Sequence, residues 1–166
     1  MKLPKSYNNP ISQKNRIMGK RNEEMVEERL NNKWFDFSFP IDPIGRNIKW
    51  RVIDFISEKH KVCIELKSRN LYHNQYDTIM IGHNKYIKSL ELIKQGYKAF
   101  FFFYYEKDKK LMFFDIPKIL PNDIEIRRGG TTKRGCKEYD ECMYIPIKYL
   151  EDIEKYDTYN MYKETH

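Results

Sequence analysis

Residues 50–69, WRVIDFISEKHKVCIELKSR, constrain the fold of this chain more than any other stretch. Two β-rich runs, 49–57 and 62–67, flank the charged link 58–61. In the second run Val62, Ile64 and Leu66 point one way while Cys63, Glu65 and Lys67 point the other, because strand side chains alternate with period two. A hairpin turning on Lys59-His60, or on the four residues 58–61, sets Glu58 against Lys61 and therefore Asp54 against Glu65. Opposed residues of antiparallel strands lie about 4.5–5.5 Å apart at Cα. Two ionised carboxylates about 5 Å apart repel by roughly 3 kcal/mol at an effective dielectric near 20. A fold tolerates that arrangement when a cation sits between them or when they share a proton. Hard oxygen donors with no His or Cys cluster nearby suit Mg²⁺ or Mn²⁺ and not zinc. The hairpin therefore predicts a metal site at Asp54 and Glu65 with Lys67 beside it.

Asp54 followed by Glu65-Leu66-Lys67 resembles the core motif of the PD-(D/E)xK nuclease superfamily. Ile53 stands where that motif usually has proline, and the Ser68-Arg69 that follows resembles the Holliday junction resolvase-like branch and related viral nucleases. The resemblance covers about residues 18–115 and implies an α/β fold. The expected form is a single-domain restriction-endonuclease-like core, a mixed central β-sheet flanked by helices.

A net charge of +7 and a pI near 9.1 favour an anionic partner, nucleic acid first among them. With 40% apolar residues, 166 residues suffice for one packed domain. Three cysteines with no CxxC pairing argue against both a disulfide scaffold and a zinc site. No apolar run reaches membrane-spanning length and no signal peptide is visible, so the expectation is a soluble intracellular protein, cytoplasmic or nuclear, with virus-encoded origin open.

Residues 1–13 carry Pro4 and Pro10 and read as an irregular arm. A helix is expected over 12–31, with Glu23, Val26, Glu27 and Leu30 on one face. Gly19 followed by Glu23 resembles the first motif of the resolvase-like nucleases, which implies that Glu23 joins the metal site. Glu24 is the rival, and a solvated acidic helix face is the plain alternative. Residues 33–39 alternate as a half-buried strand, and 40–47 read as a loop. The resemblance implies that this loop approaches the DNA backbone, with Arg46 and Lys49 as phosphate contacts; ordinary surface charges are the alternative for each.

After a polar loop over 70–77, a helix is expected over 82–95 with Tyr86, Leu90 and Ile93 on its apolar face and Gly96 as its stop. The superfamily often brings one more polar residue from this helix, which points to Lys85 ahead of Tyr76 and Asn84; a solvated helix charge is the other reading of Lys85. Residues 98–106, KAFFFFYYE, read as a strand buried on both faces and parallel to the motif strand, followed by a turn at 106–109 and a strand at 111–115. Residues 123–150 read as an addition with β candidates at 123–126 and 143–147. Between them lies a Gly-rich basic loop containing Arg127, Arg128, Lys133 and Arg134. Its glycines allow close approach to phosphate and its cations release counterions; a plain surface loop is the alternative. Residues 148–156 read as a closing helix.

The resemblance implies a Mg²⁺- or Mn²⁺-dependent endonuclease acting on branched DNA, with no small-molecule cofactor and no membrane partner. Asp54, Glu65, Glu23 and the Leu66 carbonyl would hold the metal, and Lys67 would orient the attacking water. Arg69, Arg46 and Lys85 would meet the nucleic acid. Cutting a junction twice implies a homodimer. A restriction- or repair-type nuclease, an exonuclease, or a non-cleaving nucleic-acid-binding module are the alternatives.

Overall fold

The computed structural model describes residues 10–33, 53–57, 60–129 and 140–155. Its centre is the aromatic strand Lys98–Tyr105 (β4), buried along all but its first residue. Alternation sends its side chains to two separate cores. Phe100, Phe102 and Tyr104 meet Val62, Ile64 and Leu66 of β2 (Val62–Arg69), Phe113 of β5 (Lys110–Asp115), and Val26 of α1 (Pro10–Lys33). On the other face, Phe101, Phe103 and Tyr105 meet Cys63, Phe114 and Leu92, the last from α2 (His83–Lys94). The first core is knit by aromatic pairs, with Phe102 stacked on Phe113 at 5.4 Å and Phe100 edge-on to the same ring at 5.8 Å.

The main sheet has the order β1-β2-β4-β5-β8, where β1 is Phe55–Ser57 and β8 is Glu151–Asp152. β2 and β4 run parallel, Glu65 beside Phe101 and Lys67 beside Phe103, and the other pairs are antiparallel. The mixed sheet flanked by helices is the expected architecture, and the aromatic strand lies parallel to the motif strand as predicted. The parallel connection runs through β3 (Thr78–Gly82) and α2. α2 ends as predicted at Gly96, whose φ of +91° suits glycine. The Gly96 amide donates to Ile93 O and the Tyr97 amide to Leu92 O, both at 3.0 Å, a Schellman closure.

Four expectations need correction. Residues 78–81, given no element from the sequence, and Gly82, expected to start the helix, form β3, which pairs with β7 (Asp140–Pro146), itself paired with β6 (Glu125–Gly129) in a second, three-stranded sheet. The predicted closing helix is absent from 148–155, where 3₁₀ turns at Ile147–Tyr149 and Ile153–Lys155 bracket β8. Only Ile153 of that segment is fully buried, too little apolar surface for a helical face. α2 turns Ser89 and Leu92 inward, with Tyr86 and Ile93 half-buried beside them, so Leu90 is not at the centre of its face. α1 begins at Pro10, ahead of the predicted start, as a proline at the first helical turn allows. The strand predicted over 33–39 lies, beyond Lys33, outside the described residues, as do Lys49, the loop 40–47 with Arg46 and the loop residues Lys133 and Arg134.

Candidate active site

The predicted hairpin register is the observed one. Phe55 pairs with Ile64, Ile56 with Cys63 and Ser57 with Val62, the count whose next step sets Asp54 against Glu65, although the pairing itself ends at Phe55. The turn holds Lys61 at φ +54°, and the His60 amide donates to Ser57 Oγ at 3.3 Å. β1 stops at Phe55 because Asp54 leaves the strand at a bend. Its Oδ2 instead accepts the Leu66 amide at 2.8 Å, which ties the carboxylate to the strand carrying Glu65.

Glu65 lies on the face of β2 that looks toward α2 and is 1% exposed. Two lysines converge on it. Lys67, next on the same face of the strand, brings Nζ to 3.1 Å from Oε1. Lys85, in the first turn of α2, brings Nζ to 3.0 Å from Oε1 and donates to Oε2 at 3.2 Å. Lys85 reaches inward because it shares a stripe with Ser89 and Leu92, the two buried residues of α2, and Ser89 Oγ donates to the Lys85 carbonyl at 2.9 Å.

Burial pushes the Glu65 carboxyl up to about 7; the nearby Asp54 charge adds to the rise, and Lys67 and Lys85 oppose it. Desolvation and the Asp54 charge together therefore outweigh two ammonium groups in contact. Glu65 Oε1, fully buried, lies 3.0–3.1 Å from both ammonium nitrogens, yet at angles that make neither contact a hydrogen bond. Oε1 is thus held by charge alone, with hydrogen-bond acceptor capacity to spare. A buried carboxylate oxygen with unused capacity, opposed by a second carboxylate, suits a hard divalent cation. Asp54, Glu65 and the Leu66 carbonyl would supply the oxygens.

Among the described residues no group of three or more His, Cys, Asp and Glu side chains is placed to hold a metal, so Asp54 and Glu65 stand as a pair. Glu23 is half-exposed on α1 and Glu24 exposed. Arg69, further along the same face of β2, donates to the carbonyls of Ser68 at 3.3 Å and Met80 at 3.2 Å. Arg127 and Arg128, expected in the loop after a strand at 123–126, instead belong to β6, where they are exposed; Arg127 lies over the Tyr144 ring at 3.8 Å and pairs with Glu125 at 2.9 Å. Tyr76 is exposed at the surface loop before β3, whereas Lys85 is the residue at Glu65.

Sequence reasoning missed Asn22. It is 8% exposed and donates to Ser68 Oγ and to Glu106 Oε1, both at 3.0 Å, which fixes α1 against β2 and the turn after β4. Its position one turn before Val26 was the available signal. Asn22→Ala leaves both partners short of a donor and is expected to lower stability by about 1–3 kcal/mol. Urea unfolding of parent and variant measures the difference.

The two-carboxylate hairpin with its lysine, set in a mixed sheet between helices, places the chain among the PD-(D/E)xK nucleases. It belongs to the family described as "Phage putative PDDEXK endonuclease", whose model matches residues 15–153. Among solved structures, a nuclease from a fusselovirus aligns over 98% of this chain and 94% of its own, at 17% identity and a TM-score of 0.46. No curated protein matches the chain. Among the described residues, no helix is long and apolar enough to cross a membrane.

Proposed function

We propose that this protein is a divalent-metal-dependent DNA endonuclease that hydrolyses phosphodiester bonds with Asp54, Glu65 and Lys67 as its catalytic centre. The observation that carries the reading is the buried Glu65 carboxylate, opposed by Asp54 and contacted by Lys67 at 3.1 Å. A bound Mg²⁺ or Mn²⁺ supplies a lowered pKa for water and neutralises charge on the phosphate. The chain's own residues do the rest. Asp54, held by the Leu66 amide, and Glu65 keep two carboxylates facing one another where their charges alone would drive them apart. Lys67, a third exposed, is placed to orient the attacking water and stabilise negative charge as it develops. Lys85 favours the charged, ligating form of Glu65 and so opposes, without cancelling, the rise that burial and Asp54 impose. Glu23 remains a further ligand to be tested by substitution.

Lys85→Ala removes one of the charges that hold the Glu65 carboxyl down. The rise of cleavage rate with pH is therefore expected to move to higher pH, with the plateau rate less affected; nicking rates from pH 5.5 to 9 measure it. An unshifted profile would make Lys85 an ordinary surface charge.

The Ser68-Arg69 context supports branched DNA as substrate, and two-fold junction cutting would make the enzyme a homodimer. Synthetic four-way junctions, replication forks and linear duplexes, compared at equal concentration, test this. Paired symmetric cuts in the junction support the reading, and equal cutting of linear duplex removes it in favour of a restriction- or repair-type nuclease.

Arg127 and Arg128 of β6, with Lys133 and Arg134 further along the chain, would bind the DNA backbone. Replacing Arg127, Arg128, Lys133 and Arg134 by Ser is expected to weaken binding and to flatten its salt dependence by about 0.9 in log–log slope per lost phosphate contact. Affinities measured across a salt series read the slope, and an unchanged one would mean that these cations do not touch the backbone.

A further inference from the structure

Beyond the catalytic pair, the face of β2 that carries Glu65 and Lys67 continues to Arg69, about 13 Å along the strand at 3.3 Å per residue. There a cavity of about 300 Å³ opens, walled by Arg69, Tyr72, His73, Tyr76, Tyr105 and Tyr144. It is built from both sheets and the loop between β2 and β3, and nothing in the proposed chemistry uses it. Tyr72 and Tyr76 are 52% and 60% exposed, unusually open for side chains of their size. The loop that holds them is fixed: the His73 amide and ring bond Asp108 at 3.2 and 2.5 Å, tying it to the turn after β4. Arg69 is fixed as well, its guanidinium bonded to the Ser68 and Met80 carbonyls.

We propose that this cavity is a nucleobase subsite, which takes one unpaired base of the DNA strand running past Glu65 and Lys67. The base stacks on Tyr72 or Tyr76 and sets its polar edge against Arg69. The proposal rests on the nuclease reading above and specifies which DNA that site selects. Three observations carry it. The lining couples aromatic faces with a fixed guanidinium, the combination by which proteins hold unstacked bases. Its volume is at the lower end of small-molecule pockets, adequate for a planar base. Its distance from Glu65 corresponds to no more than about four stacked nucleotides at a 3.4 Å rise, so one strand can occupy both places. Arg127, stacked on the Tyr144 wall, continues the basic surface away from the cavity. The Tyr105 hydroxyl, pushed up to about 12 by burial, stays protonated and able to donate. A fully paired duplex keeps its bases stacked inside and cannot fill the subsite; a fork, flap, bulge or junction with unpaired bases can.

The test uses the full chain in EDTA, so that binding is read without cleavage. The probes are oligonucleotides bearing one 2-aminopurine, single-stranded or within a duplex. The parent is expected to change the probe's fluorescence in single strands and not in paired duplex. Tyr72→Ala with Tyr76→Ala should lower single-strand affinity by about tenfold or more relative to duplex affinity, at the stacking strength usual for a base on an aromatic ring. Tyr72→Phe with Tyr76→Phe, which keeps the rings, should restore it. A single-strand to duplex ratio equal to that of the parent in the Ala variant overturns the proposal. Photocrosslinking of the parent to 5-bromouracil-containing single strands needs no variant: attachment at Tyr72 or Tyr76 supports the subsite, and attachment only elsewhere overturns it. Metal-dependent nicking by the parent is scored separately. A parent that nicks DNA but ignores unpaired bases refutes the subsite alone, whereas a parent that never nicks refutes the nuclease reading.

Discussion

Lys67→Ala is expected to lower the rate of phosphodiester cleavage by about a hundred- to a thousandfold, the usual cost of removing one group that stabilises developing charge. DNA affinity should change little, because one cation among many contributes about one counterion to binding. The two effects separate because Lys67 sits against a buried carboxylate and not on an open basic surface: its ammonium is 3.1 Å from Glu65 Oε1. Single-turnover cleavage and filter binding on the same oligonucleotide measure the pair of effects. Cleavage within a few-fold of the parent would reduce Lys67 to a counterion of Glu65.

Glu65→Gln is expected to abolish cleavage and, in the metal-free protein, to stabilise the fold at alkaline pH. The Glu65 carboxyl is pushed up to about 7, first by burial and then by Asp54. A group whose pKa is higher in the folded state binds its proton more tightly there, so its stabilising contribution is full below the unfolded value near 4.5. That contribution is lost as pH rises to about 7, a change on the order of 3 kcal/mol at 1.36 kcal/mol per unit. Glutamine resembles the protonated form at every pH. The variant should therefore match the parent at pH 4 and exceed it at pH 8, by less than the full amount because Lys67 and Lys85 lose their counter-charge. Asp54→Asn should act in the same direction by about 1 kcal/mol, since it removes the repulsion and keeps an acceptor for the Leu66 amide. Thermal melts in EDTA across that pH range give the comparison. A variant less stable than the parent at pH 8 would mean that the lysines, and not desolvation, dominate Glu65.

The hairpin was legible because its information is local. Period-two alternation and a turn between 57 and 62 leave one count that buries both apolar sets, and that count opposes Asp54 to Glu65. β4 was legible for a similar reason, an aromatic run with no polar side to offer solvent. β3 was not, because Thr78–Gly82 follows a polar loop and pairs with β7, some sixty residues later in the chain. The tail misled because Leu150 and Ile153 have helical spacing, yet the edge of β5 offers Glu151 and Asp152 a pairing that the helix would forgo. At the site, strand alternation brought forward Lys67, and the resemblance to the nuclease superfamily, not spacing, brought forward Lys85. Their convergence on one oxygen of Glu65 depends on how α2 packs against β2, through Ser89 and Leu92, which no local pattern encodes.

Plasmid nicking by the parent and by Glu65→Gln, with Mg²⁺, with Mn²⁺ and with EDTA, tests the central claim most directly. The account predicts nicking by the parent with either metal, none in EDTA, and none by the variant under any condition while it still binds DNA. Nicking that survives EDTA, or a Glu65→Gln variant that cuts as the parent does, would contradict a metal-dependent centre at Asp54 and Glu65.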